Sequence, residues 1–189
     1  MSIEDKLKWD KKYSQKEELL KLREASLFVK KYSSVVDGLD VLDLACGVGK
    51  NSIYLANRGF RVDAVDISKK ALDKLKSYAT AEINTIEADL DNYIPSKSYD
   101  IIIMSNFLDR ELIKRTKKYL KVGGLYIIET YIEDKNNEKK DSNPNFLLKK
   151  DELPKIFKDG FKVLEYKTFW NEPYEIYKMK KATIAACKF

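Results

Sequence analysis

The amino-acid sequence predicts an α/β fold in which helices cover both faces of a mostly parallel sheet. Short apolar runs alternate with amphipathic segments along most of the chain, which is the order expected of β-α-β units. The run Ile101–Met104 is apolar without interruption, as in a central parallel strand that is buried on both faces. A chain of 189 residues fits one domain of ordinary size, and we expect residues 1–189 to form it.

The predicted elements follow from periodicity and from end signals. Apolar side chains recur at helical spacing over residues 15–32, so we expect a helix there, within an N-terminal helical cap over residues 1–36. Five parallel strands are then predicted, at Val41–Leu44, Phe60–Asp66, Ile83–Ala88, Tyr99–Ser105 and Leu125–Tyr131. Between them we expect helices over residues 51–58, 69–79 (capped by Ser68) and 112–120.

The last third of the chain departs from this alternation. Residues 133–145 are polar and lack periodicity, which predicts a lid loop or a disordered segment. A short helix over residues 151–158 follows, with Pro154 in its first turn. Two final strands, over residues 161–169 and 179–189, are joined by a turn with Asn171 and Pro173 and could form an antiparallel edge.

Composition narrows the classes of function. The net charge is +6 and the pI is about 9.0, but basic and acidic residues alternate and no arginine-rich block occurs, so we expect no nucleic-acid partner. Lysines in residues 6–21 and 135–150 could still form a basic rim. We expect no metal site, because the chain has no histidine and only two cysteines, Cys46 and Cys187. The absence of a signal-like or membrane-spanning segment predicts a cytoplasmic protein without membrane contact.

A glycine loop after the first predicted strand carries the main functional signal. Gly47 and Gly49 have no Cβ, so the backbone can approach a ligand closely between strand and helix. The next strand ends at Asp66, whose carboxylate would lie at the same sheet edge and could accept both hydroxyl groups of a ribose. This pair predicts a site for a nucleoside cofactor.

Details of the loop distinguish between cofactors. A dinucleotide site would have a third glycine at Ser52, and Asp43 at the mouth of the loop would repel a pyrophosphate. Asp43 instead favours a cationic group such as an ammonium or sulfonium. Here the chain resembles the class I S-adenosylmethionine-dependent methyltransferases, although Ala45 stands where that family usually has its first glycine. The resemblance implies S-adenosyl-L-methionine as cofactor, S-adenosyl-L-homocysteine as product, and a Rossmann-like, seven-stranded mixed sheet of order 3-2-1-4-5-7-6.

Further cofactor contacts are expected at neighbouring strand ends. The family places its adenine contacts where Asp89 and Leu90 follow the third strand, and we expect Ser105 and Asn106 near the transferred methyl group. Asn51, at the start of the helix after the loop, suits a carboxylate or caps the helix. The predicted cofactor set from the loop and these strand ends is Asp43, Ala45, Cys46, Gly47, Gly49, Asn51, Asp66, Ile67, Asp89, Leu90, Ser105 and Asn106.

A narrower resemblance covers nearly the whole chain. The segments 9–13 (WDKKY), 49–52 (GKNS) and 143–148 (NPNFLL) are similar to the small tellurite-resistance-type methyltransferases. That resemblance implies an N-terminal aromatic segment folded over the cofactor, with Trp9, Lys12 and Tyr13 at its methionine end. Trp9 and Tyr13 could equally clasp the predicted helix that follows. Related domains methylate metalloid oxyanions, thiols, small metabolites and sometimes proteins.

The chemistry of the acceptor restricts the candidate catalytic residues. A thiolate or a metalloid anion attacks a methyl group unaided, whereas a hydroxyl, an amide or a protonated amine needs its proton removed. Without histidine, that base would be Asp109, Tyr131 or Glu133. We expect a methyltransferase, monomeric or homodimeric, that acts on a small soluble nucleophile such as a metalloid, a thiol or another metabolite. A protein-lysine or RNA methyltransferase and a non-catalytic S-adenosylmethionine-binding protein remain alternatives.

Overall fold

The computed structural model describes residues 3–172 and 175–189 and centres on one seven-stranded sheet. The strands are β1 (Asp40–Leu44), β2 (Arg61–Asp66), β3 (Asn84–Glu87), β4 (Tyr99–Ser105), β5 (Leu120–Tyr131), β6 (Phe161–Trp170) and β7 (Lys180–Lys188). Their order in the sheet is β3-β2-β1-β4-β5-β7-β6, as predicted. β1 to β5 run parallel, whereas β7 is antiparallel to both β5 and β6.

Six α-helices surround the sheet in the described ranges. They are α1 (Ile3–Gln15), α2 (Leu27–Ser33), α3 (Lys50–Ala56), α4 (Lys69–Tyr78), α5 (Arg110–Thr116) and α6 (Glu152–Ile156). Short 3-10 helices occur at Glu17–Leu20, Lys117–Tyr119 and Pro144–Phe146. The helix after the glycine loop and the helix capped by Ser68 are confirmed, and the Ser68 hydroxyl accepts a hydrogen bond from the Ala71 amide.

The strands alternate their side chains between two apolar layers, as successive residues of a strand must. On one face, Leu42, Ile102 and Tyr126 pack with residues of α5 and α6. On the other face, Val41 and Ile103 pack with residues of α2, α3 and α4. The polar strand residues described below lie on the second face, at the edge of the sheet where β1, β2, β4 and β5 end and the antiparallel β7 begins.

The predicted helix over residues 15–32 is wrong. Trp9–Tyr13, expected ahead of that helix, lie inside α1, and the chain from Lys21 to Ala25 is not helical. The interruption has a local cause at Ser26. Its hydroxyl accepts from the Phe28 amide and so caps α2, while its own amide donates to Asn51 and its hydroxyl donates to Glu129.

The predicted helix over residues 112–120 is too long. α5 ends at Thr116, and Leu120 begins β5 by pairing with Tyr99. The pairing is possible because Gly123 adopts a φ of +80° and Gly124 approaches the backbone oxygen of Asp100, where a Cβ would lie 2.8 Å from it. The strand therefore starts before the glycines rather than after them.

The segment after β5 forms a loop that is tied to its surroundings. The Asn137 side chain is buried, donates to the Ile132 carbonyl and accepts from the Lys180 amide. The Glu138 amide donates to the Lys178 carbonyl, so the loop is attached to the chain that enters β7. In the predicted turn between the last two strands, Asn171 follows β6, whereas Pro173 lies outside the described residues.

The described residues contain neither a membrane-spanning helix nor a cluster of metal-ligating side chains. In the described part of the chain, none of the helices combines the length and the apolar composition required to cross a membrane. Across residues 3–172 and 175–189, no group of three or more Cys, Asp or Glu side chains is arranged to hold a metal ion.

Candidate active site

The glycine loop between β1 and α3 is built from left-handed backbone conformations. Ala45, Gly47 and Gly49 have φ values of +55°, +56° and +79°. A Cβ on Gly49 would lie 2.4 Å from the side chain of Leu75, so only glycine lets α4 pack against the loop. Ala45 is the one residue of the three with a side chain in this conformation. The loop thus turns sharply at the end of β1 and presents its backbone at the sheet edge.

Asp66 lies at the end of β2 and is bonded to the loop. Its carboxylate accepts hydrogen bonds from the Gly47 amide at 2.8 Å and from the Ser68 amide at 2.9 Å. Burial raises the pKa of Asp66, although both amides act in the opposite direction. Each carboxylate oxygen has a second lone pair, so Asp66 keeps the capacity to accept from two hydroxyl groups. Ile67, next in sequence, is buried.

Asp43 lies on the neighbouring strand β1 and is 2% exposed. One of its oxygens accepts from the Ser52 hydroxyl at 2.6 Å. Burial raises its pKa to about 6, against the stabilising effects of Ser52 and Lys50. Asp43 and Asp66 therefore provide two acids at one edge, separated by the glycine loop.

The N-terminal helix lies over the same edge. The Ser68 hydroxyl donates to Asp10 of α1, and Lys6 forms an ion pair with Glu87 of β3. Tyr13 reaches the loop, because a Cβ on Gly47 would be 3.1 Å from its hydroxyl oxygen. Trp9 packs against Tyr13 with 6.0 Å between ring centroids, and the Lys12 ammonium lies 4.1 Å from the centre of the Trp9 ring. The structure thus brings the predicted aromatic segment to the predicted site.

Cys46, Asp89 and Leu90 take up structural positions at the same edge. The Cys46 amide donates to the Val65 carbonyl and ties the loop to β2. Asp89 is partly buried and accepts from the Asp91 amide, and Leu90 is fully buried with its carbonyl bonded to Arg115. The adenine contacts of Asp89 and Leu90, and the cofactor contact of Cys46, stay predictions.

Asn51 and Ser105 are joined in a buried network. The Asn51 amide nitrogen donates to the Ser105 hydroxyl at 3.0 Å, and its oxygen accepts from the Ser26 amide at 3.0 Å. Asn51 thus already has a protein partner on both sides of its amide group. Asn106 is exposed, has a φ of +56°, and donates its amide to the Glu129 carbonyl.

The three candidate bases occupy different surroundings. Asp109 caps α5 by accepting from the amides of Glu111 and Leu112. Tyr131 is partly buried and donates its hydroxyl to Glu175 at 2.6 Å. Glu133 is exposed on the loop after β5. Only Tyr131 of these three is bonded to a second ionisable side chain.

Several polar residues at this edge were not predicted. They are Ser26 in the non-helical segment before α2, Lys50 on α3, Glu129 on β5, Glu175 on the loop before β7 and Lys181 on β7. A signal was present for two of them. Glu129 interrupts the apolar run of β5, and Lys181 directly precedes the small and apolar residues of β7. A charged residue in such a run is unusual, and the structure shows that both side chains are buried.

Comparisons with known proteins agree with this geometry. Residues 41–124 match the family described as "Methyltransferase domain". Its sheet order and its glycine loop are those of the class I S-adenosylmethionine-dependent methyltransferases, and the chain is similar to proteins of that class. Within that class it is similar to a probable S-adenosyl-L-methionine-dependent methyltransferase, TehB of Haemophilus influenzae. The two are 29% identical over 177 residues, or 82% of this chain and 59% of that protein.

Other relatives extend the comparison. The crystal structure of Haemophilus influenzae TehB superposes with a TM-score of 0.75 and 28% identity, over 85% of this chain and 61% of that one. A cypemycin N-terminal methyltransferase of Streptomyces is 35% identical over 104 residues, or 50% of this chain and 42% of that protein. A ubiquinone biosynthesis O-methyltransferase of Rickettsia akari is 27% identical over 107 residues, covering 52% and 43%. The chain thus spans about half the length of these relatives.

The donor set at the edge fits S-adenosylmethionine. Asp66 and Asp43 offer acceptors for hydroxyl and cationic groups, and the backbone of Gly47 and Gly49 leaves room that a side chain would occupy. In a dinucleotide site the pyrophosphate binds at a helix N-terminus. Here it would lie near the carboxylate of Asp43, which would repel it. The donor set of this edge therefore fits S-adenosylmethionine, the cofactor of the methyltransferases that the chain resembles.

Proposed function

We propose that the chain transfers a methyl group from S-adenosylmethionine to a small soluble nucleophile in the cytoplasm. The observation that carries this proposal is the pair of acids, Asp43 and Asp66, on either side of a glycine loop that bonds directly to Asp66. The relatives support the reaction class by name, and they include N- and O-methyltransferases besides TehB. The acceptor class is part of the proposal.

Each group at the edge has a proposed task. Asp66 accepts the ribose hydroxyls, Asp89 and Leu90 contact the adenine, and Asp43 with the loop faces the methionine end. S-adenosylmethionine would supply a methyl cation equivalent: the acceptor's lone pair forms the new bond, and the electrons of the broken carbon–sulfur bond stay on sulfur. The protein's own contribution is to align the acceptor and to exclude water, which α1 favours by covering the edge with Trp9 and Tyr13.

Calorimetry with S-adenosylhomocysteine tests the cofactor assignment. We expect Asp66→Ala to weaken binding by about 1.5–3 kcal/mol for each charged hydrogen bond that is lost. The matched control is Asp73→Ala, because Asp73 is an exposed acid on α4 that forms an ion pair with Lys69. Circular dichroism checks that both variants stay folded. Equal affinity in a folded Asp66→Ala variant, or tighter binding of NADH than of S-adenosylhomocysteine by the unaltered protein, contradicts the proposal.

A protein-lysine or RNA methyltransferase is the alternative within the same class. Its support is the basic rim, where the ammonium groups of Lys8, Lys16 and Lys139 all lie close enough to Lys12 to lower its pKa, in addition to the effect of burial. A non-catalytic S-adenosylmethionine-binding protein would bind the cofactor without forming S-adenosylhomocysteine. These alternatives predict different destinations for a labelled methyl group.

A further inference from the structure

A connected set of charged side chains lies beside the cofactor loop, at the carboxyl end of β5. Tyr131 donates its hydroxyl to one oxygen of Glu175, at 2.6 Å. Lys181 donates its ammonium to the other oxygen of Glu175, at 2.7 Å. Lys181 is the direct partner of Tyr131 in the β5–β7 pairing, and its ammonium lies 5.0 Å from the centre of the Tyr131 ring. Both oxygens of one carboxylate are therefore fixed by defined donors.

This set is built rather than accidental. Lys181 is 4% exposed, and a lysine is rarely buried unless it is paired. Buried Asn171 holds the loop that carries Glu175: it exchanges hydrogen bonds with the backbone of Met179 and donates to the Tyr177 carbonyl. These bonds hold Glu175 near the start of β7, where its carboxylate accepts from Tyr131.

The set adjoins the proposed methyl-transfer region. Glu129, two residues before Tyr131 and on the same face of β5, pairs in register with Ser105 at the end of β4. Lys50 directly follows Gly49 of the loop and is close enough to Glu129, Glu175 and Lys181 for their charges to act on its pKa. Arg23, in the non-helical segment before α2, is close enough for its charge to act on the pKa of Tyr131. The charged groups around the Tyr131 hydroxyl are therefore Glu175, Lys181, Arg23 and Glu129.

The protonation states are fixed by these neighbours. Burial raises the pKa of Tyr131, and Glu175 raises it further, so the phenol stays protonated. Burial alone would raise the pKa of Glu175, but Lys181 and Tyr131 lower it below its usual value. Because the Tyr131 proton points to a carboxylate, the lone pairs of its oxygen are left to accept a hydrogen bond from another group.

We propose that Tyr131, Glu175 and Lys181 form a proton-accepting triad, and that the acceptor is consequently an oxygen or nitrogen nucleophile that carries a proton. This inference rests on the methyltransferase function proposed above. As the acceptor attacks, its O–H or N–H bond breaks and the proton binds the Tyr131 oxygen. The original hydroxyl proton of Tyr131 passes to Glu175, and the electrons of the broken bond remain on the acceptor as its nucleophilic pair. Tyr131 touches the acceptor, whereas Glu175 and Lys181 are positioning residues that act through it.

Three probe acceptors separate this proposal from its alternatives. p-Cresol and an unblocked alanine tripeptide each carry a proton that must be removed, whereas mercaptoethanol forms a reactive thiolate unaided. Initial rates of S-adenosylhomocysteine formation are measured for the unaltered protein, for Tyr131→Phe, Glu175→Gln and Lys181→Met, and for the double variant Tyr131→Phe/Glu175→Gln. Tyr54→Phe is the matched control, because Tyr54 lies on α3 with its ring near Lys30 and Arg58. S-adenosylhomocysteine affinity, measured by calorimetry, reports folding and cofactor binding separately.

We expect Tyr131→Phe and Glu175→Gln each to slow transfer to p-cresol or to the tripeptide by tenfold or more near neutral pH. The double variant should lose no more than either single variant, because the two residues act as one unit. With p-cresol the loss should shrink as the pH approaches the pKa of the phenol probe itself, about 10, since the probe then ionises without help. Rates with mercaptoethanol, and cofactor affinity, should stay within about threefold in every variant.

Each contrary result has a distinct meaning. Equal rates of the unaltered protein and Tyr131→Phe on the protic probes overturn the triad. So does transfer to mercaptoethanol alone, or a loss that is the same at every pH. If the unaltered protein binds S-adenosylhomocysteine but methylates neither protic probe, the triad is overturned, whereas the small-nucleophile function is decided separately by the fraction of a lysate that a labelled methyl group enters.

Discussion

At the residue scale, the acids of the cofactor edge combine burial with charge. Asp43 is almost completely buried, yet it faces the position proposed for a cationic ligand. Its pKa of about 6 means that the carboxylate changes from mostly protonated to mostly ionised between about pH 5 and pH 7. A bound cation would favour the ionised form, so binding and deprotonation of Asp43 are coupled.

This coupling predicts a pH dependence of cofactor binding. S-adenosylmethionine affinity should rise between about pH 5 and pH 7 as Asp43 ionises, and Asp43→Asn should abolish most of that rise. Asp73→Asn, an exposed acid on α4, is the control and should keep the rise. Calorimetric titrations across this range measure both variants. An unchanged pH profile in Asp43→Asn would assign the dependence to another group.

The raised pKa of Asp43 affects the stability of the fold in the opposite direction: cofactor binding should strengthen as the pH rises, whereas the contribution of Asp43 to the free energy of unfolding falls. The folded-state pKa of Asp43 is raised above its usual value of 3.8, so the folded protein holds a proton that the unfolded chain has already lost. The stabilising contribution is complete below the unfolded pKa and is lost as the pH rises through about 6. Cofactor binding and folding therefore place contrary demands on this carboxyl group.

The sequence predicts the residues of this edge unequally. Asp43, Gly47 and Asp66 were found because a strand, a glycine loop and a second strand end form a local pattern with fixed spacing. Glu175 and Lys181 were not found, because they lie far from Tyr131 along the chain. Glu175 is 44 residues from Tyr131, and it is the β5–β7 pairing that brings Lys181 beside Tyr131. Local patterns carry no information on such contacts.

At the scale of elements, the loop after β5 combines an anchored base with an exposed tip. Asn137 attaches the loop to Ile132 and Lys180, but Lys139–Asp141 beyond it are exposed at its tip. Lys139 also lies near Lys12 of α1, as its effect on the Lys12 pKa indicates. We propose that residues 133–145 act as a lid between the cofactor edge and the solvent.

Replacing Lys139–Ser142 with Gly and Ser, while Asn137 is kept, tests the lid. Cofactor affinity should stay within about threefold, or roughly 0.7 kcal/mol, because the lid acts mainly when the acceptor is aligned. Turnover on a true acceptor should fall tenfold or more, since water is no longer excluded. The same exchange at residues 80–82, after α4, is the control. Full turnover in the tip variant would make the segment an ordinary surface loop.

The N-terminal elements show why helix prediction failed there. Apolar spacing over residues 15–32 fits one helix, but the tertiary bonds of Ser26 to Asn51 and Glu129 stop it and turn the chain. Within the predicted N-terminal helical cap, α1 was not predicted as a separate helix, because it packs mainly through Trp9 and Tyr13 and leaves Leu7 exposed. In both places the competing interactions lie at the proposed site.

At the scale of the whole molecule, the fold brings two separate contributions to one edge. The parallel half, β1 to β4, provides the cofactor loop and its acids. The antiparallel strand β7 returns beside β5 and delivers Lys181, and the loop before it delivers Glu175. The mixed sheet thus brings the strands that carry Asp43 and Asp66 and the strand that carries Lys181 to one edge, where we propose that cofactor and acceptor meet.

The central claim is that this joined site methylates a small soluble nucleophile, and the destination of a labelled methyl group tests it most directly. The unaltered protein is incubated with radiolabelled S-adenosylmethionine and a cell lysate, which is then separated into small molecules, protein and nucleic acid. Asp66→Ala serves as the cofactor-deficient control. We predict that label enters the small-molecule fraction as a new compound, with S-adenosylhomocysteine formed in equal amount and both lost in the control. Label in protein or nucleic acid instead, or cofactor binding with no S-adenosylhomocysteine formed, would contradict the account.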